Sequence, residues 1–264
     1  MGTIYSNELK RTRKGLIIWS AVVAAIVLFG ILEYPAIGQY TSLVEQALAA
    51  IPRIGQIAFG VYNANLSDPV GYYVVMYYWT GLVVFTHAIY TGASIIAKES
   101  RDKTAEFLFT KPYKRATVVW AKMLAGLTNI AVVFAAAIVF SLVAMLPVTS
   151  DGAVYAQIAV SGIGMLLTQC VLMLLGLLCS ALFKTYRHSL WAAIAVLVLS
   201  YALLFTVEYL EAPVLDFLSP LAYFGVADVV AHGLSPLYLG IAVVLAALCL
   251  ALTQRLYARK TVVL

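Results

Sequence analysis

Long runs of apolar residues alternate with short polar segments along most of this 264-residue chain. A helix needs about 20 apolar residues to cross about 30 Å of hydrocarbon, and six runs reach or approach that length. None carries a Lys, Arg or Asp near its centre, where each would cost about 2.5–3.5 kcal/mol. Their polarity does not alternate as it would in the strands of a membrane barrel. The pattern therefore predicts an all-α membrane protein, with one transmembrane domain over residues 1–264. We place the six spanning helices at residues 15–32, 70–97, 118–146, 156–183, 190–207 and 237–252.

The composition also indicates that much apolar surface faces lipid. Hydrophobic residues make up 63% of the chain and charged residues 11%, whereas soluble domains have about 45–50% and about 25%. The three cysteines, Cys170, Cys179 and Cys249, lie inside apolar runs without a pairing pattern, so we interpret them as small buried hydrophobic residues. The first apolar run has no small-x-small cleavage pattern, and we expect it to remain as a spanning helix rather than to be a signal peptide.

Basic residues are distributed unevenly between the two sets of polar connections. Of the 17 Lys and Arg residues, 16 lie in or beside the N-terminus, the 98–117 loop, the 184–189 loop and the C-terminus. This count assigns Lys122 to the neighbouring loop, and only Arg53 falls on the opposite side. The positive-inside rule then predicts that both termini are cytoplasmic. We therefore attribute the net charge of +5 to membrane orientation and to contact with lipid, not to a nucleic-acid partner.

Three segments do not fit a spanning helix. Residues 3–14 form either a short interfacial helix on the inner membrane surface or a frayed tail held by anionic lipid. Residues 39–60 predict an outer interfacial helix that ends near Pro52, and Asp68 before Pro69 is typical of the start of the second span. Residues 208–235 form either short re-entrant helices before the sixth span or an ordinary outer loop.

The connection between the second and third spans carries the most information about function. Ser100 or Asp102 can cap a short helix there, and Glu99 suits the positive end of its dipole. Pro112 ends the helix, because the residue before a proline is pushed out of the helical region. Such a helix, with an apolar face that includes Leu108, can dock into a groove on a soluble motor. A basic loop lying on anionic lipid is the other interpretation, and the pattern alone leaves both open.

This stretch resembles the signature of type-2 ABC exporter permeases. In that family an acidic residue ends the second span, a threonine–acid–leucine stretch and a proline-x-x-arginine follow, and a lysine opens the third span. The matching residues are Glu99, Thr104, Glu106, Leu108, Pro112, Arg115 and Lys122. The six-span plan fits the family along the whole chain. Lys103 stands where many members have glycine, and this departure leaves the subfamily open.

The resemblance implies a permease subunit in the plasma membrane of a bacterial cell, with the loop as a cytoplasmic coupling helix. The residues that it assigns to ATPase coupling are Glu99, Asp102, Thr104, Glu106, Phe107, Leu108, Pro112 and Arg115. A separate ABC ATPase subunit would bind ATP and Mg, because this sequence has no GxxxxGK[ST] phosphate loop. The chain itself would bind no cofactor and would not be an enzyme. It would pair with a second copy of itself or with a paralogue.

Three polar side chains inside the predicted spans are candidates for a transport pathway: His87, Asn129 and Gln169. An ionisable group within a membrane is a functional candidate. Each of the three can instead hydrogen-bond to a neighbouring helix. The sequence contains no HExxH, no GxSxG and no metal-ligand spacing, so we predict neither catalytic residues nor a metal site.

We therefore expect ATP-driven export of a small or amphipathic cargo, such as a peptide, an antibiotic or a lipid-like molecule. The alternative is an ion-gradient-driven secondary transporter or channel, a class that usually carries ionisable groups near the midplane. His87 is its one candidate residue. A membrane enzyme is a third interpretation, and it lacks a supporting signature.

Overall fold

The computed structural model describes residues 2–62, 64–101 and 115–259. These residues form helices and connecting turns, without a β-strand in the described ranges, which confirms the all-α prediction. The helices, in chain order, are α1 (Gly2–Gln39), α2 (Thr41–Ala50), α3 (Arg53–Ala58), α4 (Pro69–Arg101), α5 (Arg115–Met145), α6 (Gly152–Leu182), α7 (Tyr186–Leu210), a 3₁₀ helix (Pro213–Leu218), α8 (Val226–His232) and α9 (Pro236–Arg259).

Six of these helices, α1, α4, α5, α6, α7 and α9, are long and apolar enough to cross a membrane, and they coincide with the six apolar runs. The helices extend beyond the runs at most ends, because a polar residue limits hydropathy without interrupting a helix. At the N-terminus, residues 2–14 are the first turns of α1 and are not separated from the span by a break. Asp68 caps α4 as expected: its Oδ2 accepts hydrogen bonds from the backbone N–H groups of Val70 and Gly71 at 3.1 and 3.2 Å.

The centre of the molecule is the contact between α4 and α6, whose spans are mostly buried, whereas few residues of the spans in α1, α7 and α9 are buried. Two glycines allow the backbones of α4 and α6 to touch. A Cβ atom at Gly92 would lie 2.0 Å from the carbonyl oxygen of Met173, and one at Gly176 would lie 2.3 Å from that of Ile89. Small residues that permit such close approach are typical of helix packing in membranes. This contact fixes α4, and so the position of the polar groups on its other face.

The segment between α7 and α9 packs against the bundle through the 3₁₀ helix, α8 and the residues between them. Phe224 is buried against α6, where Gly164 leaves room for its side chain. The Ser219 hydroxyl donates a hydrogen bond to the Ser200 carbonyl of α7 at 2.8 Å. The segment therefore packs on the helix bundle and is not a fully exposed loop. That it enters the bilayer as re-entrant helices stays a prediction.

The other predicted outer segment contains two helices rather than one. α2 ends at Ala50, and Pro52 then precedes α3. Arg53 at the start of α3 forms an ion pair with Glu211 at 2.7 Å, and Tyr62 donates a hydrogen bond to the same carboxylate at 2.9 Å. This cluster connects the α2–α3 segment to the end of α7.

Candidate functional site

Most residues of the predicted coupling helix lie outside the described residues. These are Asp102, Thr104, Glu106, Phe107, Leu108 and Pro112, all within residues 102–114. Arg115 is the first residue of α5. Glu99 is described and lies near the end of α4, where its side chain is buried. The structure therefore shows the two helices that enter and leave this segment, and their ends form the candidate site.

Lys122 of α5 is completely buried. Its Nζ lies 2.8 Å from Glu99 Oε1, 3.0 Å from Glu8 Oε1 and 2.7 Å from the backbone carbonyl oxygen of Ile95. An ammonium group has three N–H donors, and the three acceptors satisfy all of them. Lys122 lies two turns inside α5, within the predicted third span, although the charge count grouped it with the neighbouring loop.

The second base of this site is Lys98, whose Nζ pairs with Oε2 of Glu8. Each carboxylate oxygen of Glu8 thus faces a different lysine. We call Glu8, Lys98, Glu99 and Lys122 the buried ion cluster. Its two acids and two bases balance in formal charge, as burial requires, because an unpaired ion away from water is very costly.

The buried ion cluster joins three helices. Glu8 comes from α1, Lys98 and Glu99 from the last turn of α4, and Lys122 from α5. α4 and α5 are the helices that border residues 102–114. Hence any displacement of that segment acts on helix ends that are tied to each other and to α1.

Further hydrogen bonds continue the contact between α1 and α5. The Tyr5 hydroxyl lies 3.0 Å from Thr128 Oγ1, and Thr12 donates to Asn129 Oδ1 at 3.1 Å. Tyr5, Glu8 and Thr12 are three or four residues apart and therefore share one face of α1. The polar residues of the N-terminal segment thus pack on α5, which explains why α1 extends beyond its apolar run. Asn129, one of the intramembrane candidates, connects two helices here.

His87 lies on the side of α4 that faces away from the Gly92–Gly176 contact with α6, and it is 3% exposed. Its Nε2 is 3.3 Å from Thr91 Oγ1, and its ring centroid lies 5.3 Å from that of Trp19 on α1. Its Nδ1 has no hydrogen-bond partner among the described residues. A cavity of about 200 Å³ opens beside it, and Asn129 also lines this cavity. His87 and Asn129 are therefore brought together by the fold.

Gln169 lies elsewhere, on α6. It is completely buried, and neither atom of its side-chain amide has a hydrogen-bond partner in the described part of the chain. It neither lines the cavity beside His87 nor bonds to the buried ion cluster. Within the described ranges, no group of three His, Cys, Asp or Glu side chains is close enough to hold a metal ion.

Glu8 is the member of the site that sequence reasoning missed. It is the one acid in a segment that also contains Lys10, Arg11, Arg13 and Lys14, and the sequence therefore gave no reason to distinguish it from a solvated basic tail. A lone acid among bases near a span, together with a lysine inside the third apolar run, was the available signal. The pairing itself joins residues 114 positions apart and required the fold.

Comparison with known proteins supplies a family for this architecture. A family model described as "ABC-2 family transporter protein" matches residues 2–262, which is nearly the whole chain. A comparison with curated protein sequences gave no significant match.

Proposed function

Because the chain belongs to the ABC-2 transporter family, whose permeases are multi-pass membrane subunits that typically pair with a separate ATPase subunit, we propose that it forms the membrane pathway of an ATP-driven exporter. The ATPase would bind ATP and Mg and would contact the permease at residues 102–114. A second copy of the chain or a paralogue would complete the pathway. The sequence has no large hydrophilic insertion between its spans, which favours a small or amphipathic cargo that enters from the membrane.

The observation that carries this proposal is the buried ion cluster. It connects the two helix ends on either side of residues 102–114 and adds α1 to the same unit. A motor that pushes on a segment between two independent helices would only bend the segment. Here the ends of α4 and α5 are held together by Lys122, so a force on the segment moves both.

The energetics favour movement of the cluster as an intact unit. Separating one partner would leave a buried charge uncompensated, at a cost of about 3–5 kcal/mol. Tilting α4 and α5 together keeps every ion pair and costs no such penalty. The free energy of ATP binding would then change the orientation of α4 and α5, and α1 would move with them because Glu8 pairs with lysines on both helices.

The proposal is tested by reconstituting the chain in liposomes with a candidate ABC ATPase subunit from the same organism. We expect the two proteins to copurify and the ATPase activity to depend on the permease. Replacing Glu106 or Phe107 with Ala in residues 102–114 should abolish this dependence without changing the thermal unfolding of the permease. Glu45→Gln, an exposed acid on α2, is the matched control and should behave as wild type.

Two results would contradict the proposal. One is normal stimulation of the ATPase by the Glu106 and Phe107 variants, which would place the contact elsewhere. The other is transport by liposomes that hold this chain alone under an ion gradient. That second result would instead identify a secondary transporter or channel.

A further inference from the structure

A groove of about 680 Å³ lies between α1 and α5, and we call it the α1–α5 groove. This volume is within the range of about 300–1,000 Å³ that is typical of ligand sites. Its apolar walls are formed by Leu9, Leu16, Ile17 and Val132. The residues that α1 contributes recur three or four positions apart, so they form one stripe along the helix. None of the four residues of the buried ion cluster lines this groove.

Two bases, Lys10 and Arg13, line the end of the groove nearest the N-terminus. Both residues are exposed, and neither forms a hydrogen bond or an ion pair within the described part of the chain. The acid of the same segment, Glu8, is directed elsewhere, because it pairs with Lys98 and Lys122 in the buried ion cluster. The two bases at the groove are therefore available to an anionic ligand.

The apolar run of α1 places these two bases at the depth of the lipid head groups. The run reaches Leu16, and Arg13 and Lys10 precede this residue by about 4 and 9 Å along the helix at 1.5 Å per residue. The head-group region adds about 5–7 Å to each side of the hydrocarbon core. Ile17, which follows in the groove, is exposed and belongs to the part of α1 that faces hydrocarbon. Cations at head-group depth and apolar walls beyond them match the polarity of one anionic lipid molecule.

We propose that the α1–α5 groove binds one anionic phospholipid, with its phosphate at Lys10 and Arg13. An acyl chain lies along Leu16, Ile17 and Val132. Arginine forms paired hydrogen bonds with phosphate oxygens, and lysine adds a point charge. A second copy of the chain fits the groove less well, because a symmetric contact would bring the same bases of both copies together. This lipid site goes beyond the exporter proposal and stands if that proposal fails.

The test uses the purified full chain in a neutral detergent. A fluorescent phosphatidylglycerol analogue is titrated into it, with the corresponding phosphatidylcholine analogue as reference. We expect tighter binding of phosphatidylglycerol, and a loss of affinity of about tenfold in the Lys10→Gln/Arg13→Gln double variant, because each base near an anionic lipid contributes to binding. Lys14→Gln/Lys184→Gln is the matched control. It removes the same charge from two exposed lysines that do not line the groove, and it should bind as wild type does.

A steric variant keeps every charge and decides the test if the double variant does not fold. Ser20→Phe fills the end of the groove away from the bases and should weaken phosphatidylglycerol binding. Ala25→Phe, at an exposed position of α1 that does not line the groove, should leave it unchanged.

Three results would overturn the proposal. Equal losses in the two double variants would indicate a general attraction of bases to anionic lipid instead of a site. Equal affinities for phosphatidylglycerol and phosphatidylcholine would show that the bases do not select the ligand. A dimer that dissociates on Ser20→Phe while lipid binding is unchanged would assign the groove to a second copy of the chain.

Discussion

Replacing Lys122 with Met removes the ammonium group from the buried ion cluster while keeping a side chain of similar length. The lost contacts are those to Glu99 at 2.8 Å, to Glu8 at 3.0 Å and to the Ile95 carbonyl at 2.7 Å. Glu8 keeps its pair with Lys98, but the cluster as a whole changes from neutral to a formal charge of −1. Because removing one partner of a buried ion pair costs about 3–5 kcal/mol, we expect the free energy of unfolding to fall by that amount.

A second substitution separates the charge effect from the loss of packing. Adding Glu99→Gln to Lys122→Met restores neutrality, since Glu8 and Lys98 then remain as a matched pair. The double variant should therefore be more stable than Lys122→Met alone, with a coupling energy of about 1–3 kcal/mol between the two positions. Lys184→Met, at an exposed lysine between α6 and α7, is the control and should change stability by less than about 1 kcal/mol.

The assay is unfolding by SDS titration in mixed micelles, followed by tryptophan fluorescence. Five proteins are measured in parallel: wild type, Lys122→Met, Glu99→Gln, the double variant and Lys184→Met. The reasoning about the cluster is refuted if Lys122→Met lies within about 1 kcal/mol of wild type, as an exposed lysine would. It is equally refuted if the double variant loses the plain sum of the two single losses, because additivity means that the positions do not interact.

Two further predictions concern the α4–α6 contact and the segment before α9. Gly176→Ala should destabilise the protein by about 1–3 kcal/mol through overpacking against the Ile89 carbonyl. Gly240→Ala is the control and should be neutral or stabilising, because there is open space around Gly240. The same SDS titration measures both variants, and equal effects on stability would contradict the packing argument. Burial, reinforced by Asp228, raises the pKa of Asp216, so its ionised form is disfavoured in the folded state. Asp216→Asn should raise the melting temperature at pH 7. The gain should disappear as the pH falls below the ordinary pKa of an aspartate, because the side chain is then neutral in both the folded and the unfolded state. A gain in melting temperature that is constant with pH would contradict this prediction.

The spanning helices could be predicted from the sequence because lipid imposes a local requirement. Each span must be apolar over its own length and must satisfy its own backbone hydrogen bonds, so no knowledge of its neighbours is needed. The start of α4 was predictable for the same reason, since Asp68 caps residues two and three positions away. The segment at residues 2–14 was ambiguous because its helicity depends on contacts with α5, such as that between Tyr5 and Thr128.

The site was less predictable, since its chemistry depends on contacts between distant residues. Glu99 and Lys122 were both identified through the family resemblance, but the sequence did not indicate that they pair, because a lysine near the end of an apolar run usually reaches the membrane surface. His87 and Asn129 were identified as polar residues within spans, and the sequence did not indicate that both line one cavity. Local patterns define helices, whereas the pairing of their polar residues is set by which helix faces meet.

The geometry of the buried ion cluster also limits how the helices can move. A lysine held by three oxygens at 2.7–3.0 Å cannot tolerate sliding of α4 along α5, because a shift of one residue is about 1.5 Å and would break the contacts. Apolar side chains at the same place would be about as stable and would permit such a shift, since their contacts have little directionality. Rotation of α1, α4 and α5 as one unit keeps the distances unchanged. The cluster therefore favours tilting over sliding as the response to any force applied at residues 102–114.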